Sequence, residues 1–343
     1  MNAHERVKEA IEEIRKGNMV IMLDDEDREN EGDLVYAAAL STPEKVNFMA
    51  THAKGLICVS VTNETANRLE LNPMVSSNTS SYETAFTVSV DATTASTGIS
   101  AGERDDTIKI LSNPISRTTE LVKPGHIFPL IAKGGGVLVR TGHTEGSIDL
   151  CKLAGFNGEA VICEIMKEDG TMARRDDLDI FAQKHDMKQI YISDLVEYRL
   201  ANETLVEKVE EETSVFFNHK VTQRKFKDHL NNIHTVMQFG EVDEITHVKF
   251  HVVESDIKLF INDSKLNSML KTINFLQAKS GILIFLENNE ENKDSVKDFG
   301  VGAQILNKLN VTKLKLLTSG GKHSFVGLNG FGLEIVEEIQ IEG

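Results

Sequence analysis

Asp24-Asp25-Glu26-Asp27-Arg28-Glu29-Asn30-Glu31-Gly32-Asp33 crowds seven carboxylates around one arginine. Such crowding raises self-repulsion that folding alone does not require. A hard divalent cation would relieve it, because such ions take carboxylate and water oxygens. The plainer reading is a solvated acidic turn. Two residues favour chemistry: Arg28 offers a planar fork to an anionic substrate, and Gly32 suits a turn. The spacing does not fit an EF-hand loop, which needs a different register and a distal Glu.

Three further stretches carry reactive types. Arg140-Thr141-Gly142-His143-Thr144-Glu145 leaves an apolar run and enters a helical pattern. A Gly-containing turn at a helix N-terminus presents free N–H groups and a positive dipole end, so with Arg140 and two threonine hydroxyls it suits a phosphate. His143 could ligate a metal, while Thr144 could equally be an N-cap and His143 a surface histidine. In Pro124-Gly125-His126-Ile127-Phe128-Pro129 the sequence predicts a stiff turn around His126, which is either structural or functional. Glu164 is the one carboxylate in the apolar run Ala160–Met166. Buried, it would be raised toward the range useful for proton transfer; facing solvent, it would do nothing special.

The elements that must hold these residues follow from periodicity. Val7, Ala10, Ile11 and Ile14 make a helical stripe ended by Gly17. Met19–Leu23 reads as a buried strand entering the acidic loop, and Leu34–Leu40 resumes apolar. Thr42-Pro43 caps a helix over Glu44–His52. Leu56–Val61, Phe86–Val90, Val137–Val139, Ala160–Ile165 and Ile190–Ile192 read as strands; Glu145–Leu153, Phe181–Lys184 and Leu195–Leu200 read as helices. Without a clean βαβ rhythm, this predicts an α+β architecture: a mixed sheet flanked by helices in αβα-type layers. The acidic stretch Glu203–Ser214 reads as a linker between residues 1–202 and 215–343. Beyond it, strands Val248–Val253, Ile282–Leu286 and Lys313–Leu317 alternate with helices Lys265–Leu276 and Val301–Leu309, a second, smaller α/β domain.

Bulk properties narrow the class. A net charge of -16 argues against broad nucleic-acid contact, which needs Lys and Arg to neutralise phosphates. No apolar stretch approaches the roughly 20 residues that span a bilayer. The N-terminus lacks the apolar core of a signal peptide, so a cytoplasmic protein with no membrane association is expected. Cys58, Cys151 and Cys163 sit in apolar contexts without CxxC spacing, as buried free thiols do.

Taken together and in order, the acidic loop, Met74–Thr79 followed by Phe86-Thr87-Val88, Pro124–Leu130, Arg140–Glu145 and Glu164–Arg174 resemble 3,4-dihydroxy-2-butanone 4-phosphate synthase. The resemblance covers Val7–Arg199. It implies conversion of ribulose 5-phosphate to the four-carbon phosphate plus formate in riboflavin biosynthesis, with Mg2+ (Mn2+ as a substitute), in a homodimer with active sites near the subunit interface. It further implies that Glu29 and His143 ligate metal and that Arg28 and Asp33 contact the sugar. Arg140 and Thr144 would hold the phosphate, with Thr141 and Gly142 in the same substrate-binding turn. His126 and Glu164 would be the residues needed for proton transfer.

Phe299–Leu306, Lys315–Thr318 and Gly327–Leu333 resemble the end of GTP cyclohydrolase II. That family's zinc is held by three cysteines, yet no cysteine follows Cys163, and no His/Asp cluster replaces them. The usual Arg- and Gly-rich substrate segment is missing too: Glu287-Asn288-Asn289-Glu290-Glu291-Asn292 stands after Ile282–Leu286. A degenerate domain without zinc is therefore expected, which makes the chain a monofunctional lyase. The alternatives are a bifunctional enzyme that still hydrolyses GTP and a non-catalytic regulatory protein.

Overall fold

The computed structural model describes residues 2–26, 28–253, 255, 257, 259, 261–287, 295–319 and 333–341, with backbone alone over 295–300. Asp27, Asn288–Asn292 and Gly327–Gly332 lie outside the described residues. The chain divides into two compact units, Met1–Tyr198 and Arg199–Gly343.

The first unit is built on a seven-stranded mixed sheet in the order β4-β5-β3-β6-β2-β1-β7. Its strands are β1 (Val20–Leu23), β2 (Gly32–Ala37), β3 (Cys58–Val61), β4 (Val90–Ala92), β5 (Leu121–Ile131), β6 (Ala160–Glu164) and β7 (Lys188–Tyr191). Helix α1 (Ala3–Lys16) buries the predicted Val7, Ala10, Ile11 and Ile14, and Gly17 closes it in the left-handed conformation. Each large apolar side chain so buried contributes about 1.5–3 kcal/mol. Thr42 caps α2 (Pro43–Phe48), which runs on as one π-helical turn to Ala53.

Every residue of β1 and β2 is buried, as expected of strands covered on both faces. Ile21, Leu23, Leu34, Tyr36, Val161 and Cys163 join one core with α2 and α4 (Ala101–Ser112). Their alternates face α5 (His143–Leu153), whose Gly146 sits against Met22 and whose Ser147 hydroxyl bonds that of Ser60. The expected three layers are present.

Four expectations need correction. Val137–Val139 is not a strand: Gly136–Leu138 is a 3-10 turn entered through Gly135 and Gly136 at φ 93° and 66°. Asp149 accepts the Val137 N–H, which a ladder would otherwise take. Pro124–Pro129 is not a turn but lies within β5. A strand tolerates Pro124 here because the β4–β5 pairing skips it, from Asp91↔Val122 to Val90↔Ile127. Phe86–Val90 forms only isolated bridges before β4 begins at Val90.

Finally, most of Glu203–Ser214 is no linker but β8 (Val206–Phe216), paired with β9 (His219–Asp228). Its exposed acids meet a basic partner strand, with Glu210 on Lys225 at 2.8 Å and Glu211 on Arg224 at 2.9 Å. Charge complementarity across the pair replaces burial. Helix α7 (Ile192–Asn202) spans the boundary between the units, and α3 (Asn63–Arg68) and α6 (Arg175–His185) complete the first.

The second unit has a seven-stranded sheet in the order β14-β13-β11-β12-β10-β9-β8, with β10 (Ile233–Phe239), β11 (Ile245–Val252), β12 (Gly281–Leu286), β13 (Lys313–Thr318) and β14 (Glu334–Gln340). Strands β11 to β14 run parallel and β8 to β10 form a meander. Helix α8 (Asp263–Lys279) packs on one face through Ile273 and Leu276, and α9 (Ser295–Lys308) on the other through Val301, Ile305 and Leu306.

Candidate metal and substrate site

The acidic loop joins β1 to β2, and Asp24 organises it. Its buried carboxylate accepts from Arg28 at 2.8 Å and from the backbone N–H groups of Glu29 and Glu31 at 3.1 and 2.8 Å. From the N-terminus of α6, Arg174 donates to the carbonyls of Glu29 and Asn30, which latches the far side of the loop. The loop thus folds back on itself and turns Glu29 inward. Arg28 lies 2.9 Å from Glu29 Oε2, so its fork is engaged by two carboxylates.

His143, the first residue of α5, descends onto this loop. Its Nδ1 is 3.7 Å from Glu29 Oε2, while Nε2 is 3.2 Å from the Met22 carbonyl and 3.9 Å from Asp33 Oδ1. One ligand atom each from Asp24, Glu29 and His143 lies within 4.8 Å of the others. Asp33 Oδ1 is buried without a hydrogen-bond partner among the described residues.

Electrostatics register the crowding. Burial pushes the Asp33 carboxyl up, opposed by His143 and reinforced by Glu164, Glu29 and Glu31. For His143, burial favours the neutral ring, but Asp33, Glu29 and Asp24 outweigh it and raise the imidazole. Burial also acts to raise Glu29, yet the His143 contact and the Arg28 charge hold it below the usual carboxylate range. Protons are one way to relieve such a cluster. A hard divalent cation is another, and carboxylate oxygens with one imidazole nitrogen and an orphaned buried oxygen fit it.

The sheet lines up the remaining candidates. Met22 pairs with Asp33, and Asp33 pairs with Glu164. Strand β3 pairs Cys58 with Ile162 of β6 and with Phe128 of β5. Before β3 the register slips by one residue, with Lys54 bridged to Ile165, and the Leu56 N–H donates to Glu164 Oε2 at 2.9 Å. Paired residues share a face, so Asp33 and Glu164 lie side by side on the face that α5 covers. Among the described residues no hydrogen bond or ion pair joins His126 to the carboxylate cluster. Its partner is Asp91, at 2.7 Å from Nδ1.

Arg140 precedes α5. It donates to the fully buried Glu145 at 2.5 Å, to the Tyr82 carbonyl at 2.9 Å and to the Thr84 hydroxyl at 3.3 Å. Gly142 is the N-cap of α5 in extended conformation, and Thr144 is buried in its first turn, with the half-buried Thr141 before them. The phosphate-type turn is therefore continuous with His143.

Two participants escape a reading of the sequence. Tyr82 places its ring 5.2 Å from the Arg28 guanidinium and donates to the Arg28 carbonyl at 2.9 Å, while its own carbonyl takes Arg140, so it ties the two arginines together. Nothing in its polar surroundings marks it. Asp91 stands alone among small residues in Ser89–Ala95, and only the fold brings it to His126.

The three cysteines are buried and free, and burial raises each thiol, so none is a reactive thiolate. No helix among the described residues is long and apolar enough to cross a membrane.

A family model described as 3,4-dihydroxy-2-butanone 4-phosphate synthase matches residues 8–198, and one described as GTP cyclohydrolase II matches residues 287–340. Proteins named 3,4-dihydroxy-2-butanone 4-phosphate synthase from Sulfurospirillum multivorans and Wolinella succinogenes are 55% and 53% identical to this chain. Each alignment covers 98% of it, with 94% and 97% of the relatives. The crystal structure of RibBX, a two domain 3,4-dihydroxy-2-butanone 4-phosphate synthase from A. baumannii, matches 97% of this chain and 98% of its own, at 41% identity and TM-score 0.83. A 3,4-dihydroxy-2-butanone 4-phosphate synthase in complex with two magnesium ions matches 56% of this chain and 95% of its own, at 39% identity and TM-score 0.54. With the synthase model spanning more than half its length and relatives aligned nearly end to end, this chain belongs to the 3,4-dihydroxy-2-butanone 4-phosphate synthase family.

Proposed function

We propose that the chain converts ribulose 5-phosphate to L-3,4-dihydroxy-2-butanone 4-phosphate and formate in riboflavin biosynthesis, using Mg2+ with Mn2+ as a substitute. The observation that carries the reading is the convergence of Asp24, Glu29 and His143 beside the row of Asp33 and Glu164. Glu29 and His143 would hold the cation, with Asp24 close enough to join them. When bound, it supplies Lewis-acid stabilisation of negative charge developing on vicinal oxygens of the sugar.

The chain's own residues do the rest. Arg28 and Asp33 bind and orient the sugar hydroxyls. Arg140, Thr141, Gly142 and Thr144 hold the phosphate at the start of α5, where free N–H groups favour an anion. Glu164 moves protons at the sugar carbons from beside Asp33, and His126 does so from β5.

The protein is expected to act as a homodimer in the cytoplasm, on a small molecule and without nucleic acid or membrane. The C-terminal unit keeps cyclohydrolase-like sequence but has no cysteine to hold zinc, so GTP hydrolysis is not assigned to it.

Incubating purified protein with ribulose 5-phosphate and Mg2+, and identifying products by mass spectrometry, tests the reading. Equimolar formate and four-carbon phosphate are expected; recovery of unchanged pentulose phosphate would sink it.

A further inference from the structure

His126 and Asp91 meet twice across β4 and β5. Asp91 Oδ1 accepts the His126 backbone N–H at 2.8 Å, and Oδ2 lies 2.7 Å from Nδ1 of the ring. The carboxylate is nearly buried, whereas the imidazole is 43% exposed. One ring nitrogen is thus committed to the protein and the other faces outward. An ionised carboxylate can only accept, so in the neutral ring this contact puts the proton on Nδ1 and leaves Nε2 with its lone pair.

The dyad is pressed into place from a second side. Gly98, at φ 79°, packs so closely that any side chain there would strike both Asp91 Oδ2 and His126 Nδ1. The loop carrying Gly98 is fastened by Glu103, whose carboxylate accepts from the Ser96 N–H and hydroxyl, each at 2.7 Å, and from the Ser100 hydroxyl at 3.0 Å. These donors hold Glu103 down to about 2, so the clamp stays charged at every working pH.

We propose that Asp91 is a positioning residue for His126, holding the imidazole as the Nδ1–H tautomer so that Nε2 exchanges protons with substrate. The Glu103 clamp keeps Gly98 packed over the pair. This inference rests on the synthase reading of His126 as a proton-transfer group.

The test uses the full chain with 15N-labelled histidine. Asp91→Asn is informative because its amide can still accept the His126 N–H while turning an NH2 toward Nδ1, which forces the proton onto Nε2. Wild type should show protonated Nδ1 and bare Nε2, and D91N the reverse. Positioned acid–base groups contribute about 10²–10⁴-fold, so kcat for formate release should fall about 100-fold in D91N. KM should stay within about threefold, because Asp91 does not touch substrate. A wild-type spectrum with the proton on Nε2 overturns the inference even if D91N fails to fold. So does a D91N enzyme with kcat within about threefold of wild type. An inactive wild type with the expected spectrum would instead fault the synthase reading and leave the tautomer assignment standing.

Discussion

Asp24 and Glu29 lie in the same loop but carry different loads. Asp24 accepts three donors and is buried, so its loss unties the backbone; among the described residues the Glu29 side chain pairs with Arg28 and His143 alone. Glu29→Gln should therefore lower the melting temperature in chelator only slightly, since it removes a charge that His143 and Arg28 favour but unties no backbone. Its formate release should drop by more than about 100-fold, because even outer partners of metal ligands are worth 10–100-fold. Turnover close to wild type would break the ligand assignment. Glu103 makes a separate residue-scale prediction. Its folded pKa is depressed to about 2 from 4.5, so its stabilisation is full above pH 4.5 and fades as pH falls toward 2. The gap in urea midpoint between wild type and Glu103→Gln should close over that window; a gap that persists at pH 2 would refute the clamp.

At the scale of elements, α5 ties the phosphate turn to the sheet through one buried pair, Arg140 with Glu145, and Glu145 also accepts the Lys133 N–H at 2.9 Å. Removing one partner of a buried pair leaves an uncompensated charge, so Glu145→Ala should destabilise the N-terminal unit by about 3 kcal/mol in urea unfolding. A loss below about 1 kcal/mol would mean that solvent already screens the pair. Elements with strong local signals were legible: the stripe of α1, the Thr42 cap and the apolar strands all stand where periodicity put them. Helix α4 was missed although Ser100 and Glu103 satisfy the S-x-x-E capping pattern, because its Gly102 and five charged residues blur the apolar stripe. Strand β8 was missed for another reason. Its acids make sense only beside Arg224 and Lys225, which lie on the next strand and not in its own window. Within the site, Arg28, Glu29, Asp33, His143 and Glu164 do come together, whereas Tyr82 and Asp91 depend on contacts that no local pattern encodes.

On the whole molecule, the chain pairs a unit dense in polar chemistry with one that lacks the cysteines its own likeness requires. Incubation with GTP and added zinc should yield neither formate nor pyrophosphate; release of either would restore the bifunctional alternative. Within the second unit, Lys249 is buried, faces the Ser319 hydroxyl and has no carboxylate partner among the described residues. Burial lowers its pKa to about 8 from 10.5. The folded unit therefore binds fewer protons than the unfolded chain between pH 8 and 10.5, and stability rises with pH across that range. Lys249→Met should be more resistant to urea than wild type at pH 7, with the advantage shrinking toward pH 10.5. A variant less stable at pH 7 would show that the lysine is matched by its surroundings.

The central claim is that the acidic loop and His143 form a cation-dependent half of the sugar site. A Mg2+ titration of formate release from ribulose 5-phosphate, run on wild type and Glu29→Gln after chelator treatment, tests it most directly. Wild type should be inactive in chelator and recover with saturating Mg2+, while the variant stays inactive across the same range. Equal turnover with and without Mg2+, or equal recovery in the variant, would contradict it.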